Sequence, residues 1–332
     1  MKLSILDQAP ISLGQTPQDA LFASMRLAQA GEASGYTRYW IAEHHDLFGL
    51  ACSSPEVMLG YIGAHTSTIR LGCGAVLLPH YKPYKVAEQY NMLATLFPKR
   101  IDIGIGRAPG GSAEATNALS DNFLQQVYKM PASVDELLHF IYNDFPAGHE
   151  FASLKASPVP IIPPSPWLLG TSRKSAQLAA EKGLSYTFGQ FMSDNNGPEI
   201  IQEYLDNFAP RKKEDYPQVI VTVSAICAET TEKAEEIALS SFVWGLQRQK
   251  GEGEGGIPSI AEAKEYICNE NSKDVYERLH RKMIIGDPKT VKKKLINSKN
   301  MYKADEIMIV TITYSPEDKI RSYELIANEV FG

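Results

Sequence analysis

Cysteine is scarce in this sequence, and the few cysteines lie far apart. They are Cys52, Cys73, Cys227 and Cys268, and no two of them form a Cys-x-x-Cys pair. This spacing argues against both a disulfide framework and a zinc knuckle. We therefore expect a protein of a reducing, cytoplasmic compartment.

Long apolar runs and excess basic charge are also missing. No apolar run reaches the ~20 residues of a membrane span, and the N-terminus reaches Asp7 too early for a signal peptide. Lysine and arginine number 33 against 39 acidic residues, which gives a net charge of −6. Because nucleic-acid binding needs a basic surface, we expect neither a membrane nor a nucleic acid as a partner.

Several motifs of enzyme sites are absent as well. The chain has no P-loop, no G-x-S-x-G nucleophile elbow and no H-E-x-x-H zinc helix. His44 and His45 are adjacent, so on a strand they would point to opposite sides and could not bind one metal ion. Residues 104–109 begin like a dinucleotide fingerprint but end in Pro109. We predict no metal site, and a barrel hydrolase is disfavoured.

The hydrophobic pattern that is present alternates short β-rich runs with amphipathic stretches. Eight strand candidates, each followed by a predicted helix, lie at 3–6, 38–42, 69–78, 101–105, 167–169, 184–188, 219–227 and 306–313. The first helix is predicted to have Thr16 as N-cap and Pro17 at its first position, and to end at Gly35. Strands that are apolar on both faces are typical of parallel strands covered by helices. We predict one (β/α)8 barrel domain over 1–332, in preference to an open doubly wound sheet.

The length beyond a minimal barrel is assigned to two insertions, one after strand 4 and one before strand 8. The first covers about 108–160, and the second covers about 249–285. The second contains the glycine-rich run 251–256, which favours a flexible hinge. Two interpretations stay open for it, an active-site lid and a disordered surface loop.

Reactive groups of a parallel barrel lie at the carboxyl ends of its strands. The turn Gly170-Thr171-Ser172 opens a helix after strand 5, which suits a phosphate group or an ordinary N-cap. Arg107 follows strand 4 and is either a further phosphate ligand or half of a structural ion pair. His44 follows strand 2 and is either a buried structural histidine or an acid–base group.

Three stretches, taken together and in this order, resemble the bacterial luciferase-like monooxygenases. They are YWIAEHHDLFG at 39–49, LGCGAVLLP at 71–79 and RIDIGIGR at 100–107. The resemblance covers nearly the whole chain. It implies a (β/α)8 barrel that binds reduced FMN or, less expected here, the deazaflavin F420, and that commonly forms homodimers.

The resemblance also implies roles for individual residues. His44 matches the catalytic histidine that supports formation and use of the flavin C4a-hydroperoxide. Gly74 and Ala75 match a non-prolyl cis peptide that lies under the flavin ring. The residues that match phosphate-binding positions are Arg107, Thr171, Ser172 and Ser175.

One departure from the family pattern concerns Gly106, which stands where the light-emitting subunit has a reactive cysteine. We therefore do not expect light emission. The predicted function is a monooxygenase that uses reduced FMN and O2 on a small organic substrate. A separate reductase is expected to supply the reduced flavin, since no second nicotinamide-binding motif is found. Two alternatives stay open, an F420-dependent dehydrogenase and a non-catalytic flavin-binding protein.

Overall fold

A closed ring of parallel strands forms the centre of the molecule. The computed structural model describes residues 1–252, 255–268 and 272–332. In these ranges the strands are β1 (Lys2–Asp7), β2 (Arg38–Ile41), β3 (Arg70–Leu77), β4 (Ile101–Gly106), β5 (Ser165–Gly170), β6 (Ser185–Gly189), β7 (Val219–Cys227), β8 (Ile284–Gly286) and β9 (Glu306–Val310). All except β8 close into a ring in chain order, with β9 paired to both β7 and β1. The predicted (β/α)8 barrel is confirmed, and the open doubly wound sheet is wrong.

Helices follow the strands and cover the barrel. They are α1 (Pro17–Ala33), α2 (Pro55–Ala64), α3 (Pro83–Leu96), α4 (Ala113–Leu119), α5 (Phe123–Tyr128), α6 (Met130–Tyr142), α7 (Arg173–Glu181), α8 (Gly197–Asp206), α9 (Thr231–Lys250), α10 (Ile260–Tyr266), α11 (Ser272–Lys282), α12 (Pro288–Met301) and α13 (Pro316–Phe331). The predicted start of α1 is confirmed, because the Thr16 hydroxyl accepts a hydrogen bond from the Asp19 N–H at 3.2 Å. Gly35 follows this helix with φ = 82°, a left-handed conformation that favours glycine.

The strand β8 is a feature that the sequence pattern does not predict. The first half of β7 pairs with β9 as far as Ser224, and the last three residues pair with β8 instead. A three-residue strand of two isoleucines and a glycine is too short for its periodicity to be distinguished from that of a loop or helix end. The eight predicted strands correspond to the eight strands of the barrel, and β8 is an additional strand in the described residues that the sequence pattern misses.

The first predicted insertion, at about 108–160, contains α4, α5 and α6. Helix α6 packs against α3 and places Val134, Leu137 and Ile141 in the main hydrophobic core. It thus provides the helical cover between β4 and β5. The remaining residues of the insertion lead to β5 through a cis peptide bond at Ser157–Pro158.

The second predicted insertion, at about 249–285, contains α10, α11 and β8, while its residues 253–254 and 269–271 lie outside the described residues. Buried side chains from its described part pack with α9 into a hydrophobic cluster separate from the main core, including Val243, Ala263, Leu279 and Ile285. A disordered surface loop is therefore the wrong interpretation for these described helices. In contrast, Val291 and Leu295 of α12 belong to the main core, so α12 rather than α9 covers the barrel before β9.

Two zones fill the inside of the barrel. Near the amino ends of the strands, a buried ion network joins Arg38, Asp102 and Glu306. Above it, the side chains of Trp40 and Trp167 meet edge to face with ring centroids 5.8 Å apart. The candidate site residues lie at the other end, where the strands have their carboxyl ends. None of the helices in the described ranges is both long and apolar enough to cross a membrane.

Candidate active site

Strands β3 and β4 carry glycines at positions where neighbouring side chains leave no room for a Cβ atom. A Cβ placed on Gly74 would lie 2.7 Å from the Leu6 side chain, and one on Gly106 would lie 2.8 Å from the Cβ of Ala75. The Gly74–Ala75 peptide bond is cis, as the family resemblance predicts. A cysteine at 106 would not fit without movement of β3 or β4, which gives a packing reason for the glycine there.

His44 lies at the barrel mouth beyond the end of β2. Its backbone N–H donates to the carbonyl of Cys52 at 2.9 Å, which fixes the start of the loop. The Nδ1 atom is buried and has no hydrogen-bond partner among the described residues. Burial, helped by the neighbouring Arg248 and His45, lowers the pKa of His44 to about 4. At pH 7 the imidazole is therefore neutral and one ring nitrogen can accept a proton or a hydrogen bond.

Glu43 holds the loop that carries His44. Its buried carboxylate accepts hydrogen bonds from His45 Nε2 at 2.8 Å, the Tyr81 hydroxyl at 2.7 Å and the Leu77 N–H at 3.1 Å. His45 is hydrogen-bonded to Glu43, whereas the Nδ1 of His44 has no partner in the part of the chain that the structure describes. The two adjacent histidines thus have different surroundings, and within the described ranges no three His, Cys, Asp or Glu side chains cluster as a metal site would need.

The turn after β5 is built as the sequence predicts, and the hydroxyls of Ser172 and Ser175 make hydrogen bonds within it. Ser172 is the N-cap of α7, and its hydroxyl accepts from the Ser175 N–H at 3.3 Å. The Ser175 hydroxyl donates to the Ser172 carbonyl at 2.7 Å, and the Asn195 amide donates to the Thr171 carbonyl at 2.8 Å. The N-cap interpretation is confirmed, and the phosphate role of these residues stays a prediction.

Arg107 is exposed just beyond the end of β4. In the pairing of β4 with β5, Ile105 lies opposite Leu168. Two residues further along both strands, this register brings Arg107 beside Gly170 and next to the Thr171–Ser172 turn. No carboxylate among the described residues pairs with it, so the structural ion pair considered for Arg107 is not formed there. The sequence-predicted residues of β4, β5 and α7 are thus brought together at one corner of the mouth.

Three side chains near the mouth were not indicated by the sequence. The Oγ1 of Thr187 is buried inside the barrel on β6 without a partner among the described residues. Trp244 and Arg248 lie one turn apart on α9, and the guanidinium carbon of Arg248 is 4.8 Å from the centre of the Trp244 ring. The four-residue spacing of Trp244 and Arg248 indicates that they share one face of a helix. It does not indicate that this face points to the barrel mouth.

Part of the predicted lid segment packs on the loop that follows β1. The N–H of Ile257 donates to the carbonyl of Ile11, and the carbonyl of Ile257 accepts from the Leu13 N–H, both at 2.9 Å. Ile257 is completely buried. Closure of the whole 249–285 segment as a lid stays a prediction, because residues 253–254 and 269–271 lie outside the described residues.

The chain is similar in sequence and in structure to known proteins. A family model described as luciferase-like monooxygenase matches residues 1–302. N-acetyl-S-alkylcysteine monooxygenase of Bacillus subtilis is 36% identical over 100% of this chain and 99% of its own, and a luciferase-like monooxygenase of Escherichia coli K12 is 33% identical over 99% and 98%. The crystal structure of apo-MsnO8 superposes with a TM-score of 0.89 at 31% identity, covering 99% of this chain and 97% of the other.

More distant structures share the fold and were determined with different cofactors bound. The oxygenating constituent of 3,6-diketocamphane monooxygenase from Pseudomonas putida, in complex with FMN, has a TM-score of 0.73 at 18% identity, with 99% and 98% of the two chains covered. An F420-dependent secondary alcohol dehydrogenase in complex with an F420-acetone adduct has a TM-score of 0.68 at 15% identity, with 99% of each chain covered. At these identities the similarity concerns the barrel and does not decide between the two cofactors.

Proposed function

The chain belongs to the luciferase-like monooxygenase family and is thus an oxidoreductase, and we propose that it uses reduced FMN and O2 to oxygenate a small organic substrate. The observation that carries this proposal is His44 at the barrel mouth, which is neutral at pH 7 and whose Nδ1 has no hydrogen-bond partner among the described residues. An acid–base group without a structural partner is available to a bound molecule. The relative named as an N-acetyl-S-alkylcysteine monooxygenase, similar over the full chain, supports oxygenation as the reaction class.

The residues present fit a flavin mononucleotide. The Leu6 side chain and the Ala75 methyl group leave no room for side chains at Gly74 and Gly106, and in this proposal the flavin ring would lie against Gly74 and Ala75. Arg107 would pair with the phosphate, since a guanidinium binds phosphate oxygens with two parallel hydrogen bonds. Thr171 and the first turn of α7 would add a hydroxyl and free N–H groups to the same corner.

In this arrangement, reduced FMN would supply the oxygen-activating chemistry when bound. The C4a-hydroperoxide route, expected from the family resemblance, is part of the proposal. His44 would hold or transfer a proton at Nδ1, and Glu43 would keep its loop in place through three hydrogen bonds. The segment around Ile257, packed on the loop after β1, would help to exclude water from the mouth.

Two protein partners belong to the proposal. A separate flavin reductase would provide reduced FMN, because residues 104–109 break the dinucleotide fingerprint at Pro109. A second copy of the chain would cover apolar side chains that are exposed on α2 and α3, namely Val57, Met92 and Leu96. Large apolar groups on neighbouring helices are typical of an interaction surface.

The cofactor is tested by direct binding. We expect calorimetric titration to show binding of FMN and, anaerobically, of reduced FMN, with weaker or no binding of F420. Hydride transfer from an alcohol to F420 without any reaction of reduced FMN would instead identify an F420-dependent dehydrogenase. Tight binding of oxidised FMN without oxygen consumption, in the presence of a reductase and candidate substrates, would indicate a non-catalytic flavin-binding protein.

The phosphate corner is tested by Arg107→Gln. We expect this change to weaken FMN binding by roughly 10- to 100-fold, because it removes charge-assisted hydrogen bonds. Riboflavin, which lacks the phosphate, should bind the variant and the unmodified protein equally. The matched control is Arg173→Gln at the same corner, whose guanidinium pairs with Glu199 and Glu203 of α8. Equal losses for FMN and riboflavin would contradict a phosphate-binding role.

A further inference from the structure

Arg248 is a cationic group at the barrel mouth that the proposed cofactor site does not use. It is exposed near the end of α9 and stacks on the indole of Trp244. No carboxylate in the part of the chain that the structure describes pairs with it. It lies close enough to His44 to contribute to the lowered pKa of that imidazole.

The surroundings of Trp244 place this arginine over the loop that follows β2. A Cβ placed on Gly49 would lie 3.1 Å from Trp244 Nε1 and 3.3 Å from the Cα of Gly256, so three rim segments meet there. The indole is buried and its Nε1 has no partner among the described residues. A rigid, buried ring under the guanidinium restricts its orientation and leaves its edge available to a ligand.

Two carboxylates on segments near Arg248 are engaged with other groups. Glu43 accepts from His45 and Tyr81, and Glu252 accepts from the Tyr266 hydroxyl at 2.7 Å. Among the described residues, none of these acids competes for Arg248. The other exposed mouth arginine, Arg107, lies by β4 and β5, whereas Arg248 lies beside His44 after β2. The two cations therefore serve different parts of the mouth.

We propose that Arg248 binds a carboxylate of the substrate and thereby selects carboxylate-bearing thioethers. The planar guanidinium matches the two oxygens of a carboxylate, and the buried indole beneath it restricts its orientation. A thioether of this class is consistent with the name of the full-length relative that acts on N-acetyl-S-alkylcysteine. The inference deepens the proposed function and rests on it.

The reaction of such a substrate balances with the reactants already named. The thioether sulfur gains one oxygen atom of O2 and becomes a sulfoxide, while the second oxygen atom leaves as water. The two electrons and two protons come from reduced FMN, which is oxidised. Arg248 takes no part in this electron transfer and acts only as a binding and positioning residue.

The test is calorimetric binding of N-acetyl-S-methylcysteine and of its methyl ester to the protein with and without oxidised FMN. We expect the acid to bind about 10- to 100-fold more tightly than the ester, as for a charge-assisted hydrogen bond. Arg248→Gln should abolish this preference, and Arg248→Lys should recover part of it. Arg26→Gln, at an exposed arginine of α1, is the control and should keep the preference.

Three results would overturn the inference: equal binding of acid and ester by the unmodified protein, an unchanged preference in Arg248→Gln, or displacement of the acid by a similar concentration of inorganic phosphate. Failure of the proposed function would be seen separately, as absence of FMN binding or of oxygen consumption. In a steady-state assay with the acid, Arg248→Gln should raise KM with little change in kcat, whereas loss of a group that acts on the reacting atoms would lower kcat.

Discussion

Replacing His44 with alanine is expected to leave FMN binding within a few-fold of the unmodified protein and to lower coupled oxygenation by roughly 10²- to 10⁴-fold, the range typical of a lost acid–base group. The reason is that the imidazole is neutral, lies at the mouth and has a buried Nδ1 that no group in the described ranges engages. The measurement is the ratio of sulfoxide to hydrogen peroxide formed per reduced FMN oxidised, with N-acetyl-S-methylcysteine as the probe.

The control for this change is His65→Ala. His65 is exposed after the end of α2, at the opposite end of the barrel, where its Nδ1 is 2.8 Å from the Tyr61 carbonyl. We expect unaltered coupling in this variant. Unchanged coupling in His44→Ala, with FMN bound, would remove His44 from the assigned role while leaving the cofactor site intact.

Replacing Arg38 with methionine is expected to cost about 3–5 kcal/mol of unfolding free energy, the range for breaking a buried ion pair. Arg38 donates to Glu306 Oε1 at 2.8 Å and Oε2 at 3.1 Å, and to Asp102 Oδ2 at 2.8 Å. Burial alone would lower the pKa of Arg38, but the two carboxylates raise it above its usual value. Without the guanidinium, the one side-chain partner left to Glu306 among the described residues is the Ser4 hydroxyl, so its buried charge is uncompensated.

Urea denaturation followed by circular dichroism measures this loss. The exposed ion pairs of Arg173 with Glu199 and Glu203 are the comparison, and Arg173→Met should cost much less than Arg38→Met because water screens these charges. The double change Arg38→Met with Glu306→Gln should recover part of the loss, since it removes the unpaired charge. A similar small cost for both arginine variants would show that the network does not stabilise the barrel.

Much of the candidate site follows from residues that lie next to each other in the sequence. The cap at Ser172, the placement of Arg107 after β4 and the separation of His44 from His45 are local consequences of strand ends and helix starts. The sequence pattern does not indicate partners that are distant along the chain. Glu306, which pairs with Arg38, is 268 positions away from it. Hydrophobic periodicity indicates which face of an element is buried, but it does not indicate which element covers it.

The sequence by itself determined the eight-stranded barrel, the helix starts and the family. The alternation of strand-like and helix-like stretches, and the ordered set of family motifs, are each encoded by residues close together in the chain. Only the tertiary structure decided that α12 rather than α9 covers the barrel, and that β7 leaves the ring to pair with β8. It also decided that Trp244 and Arg248 face the mouth beside His44. These arrangements depend on long-range packing whose partners the sequence does not specify, so which element covers which is settled only when the barrel closes.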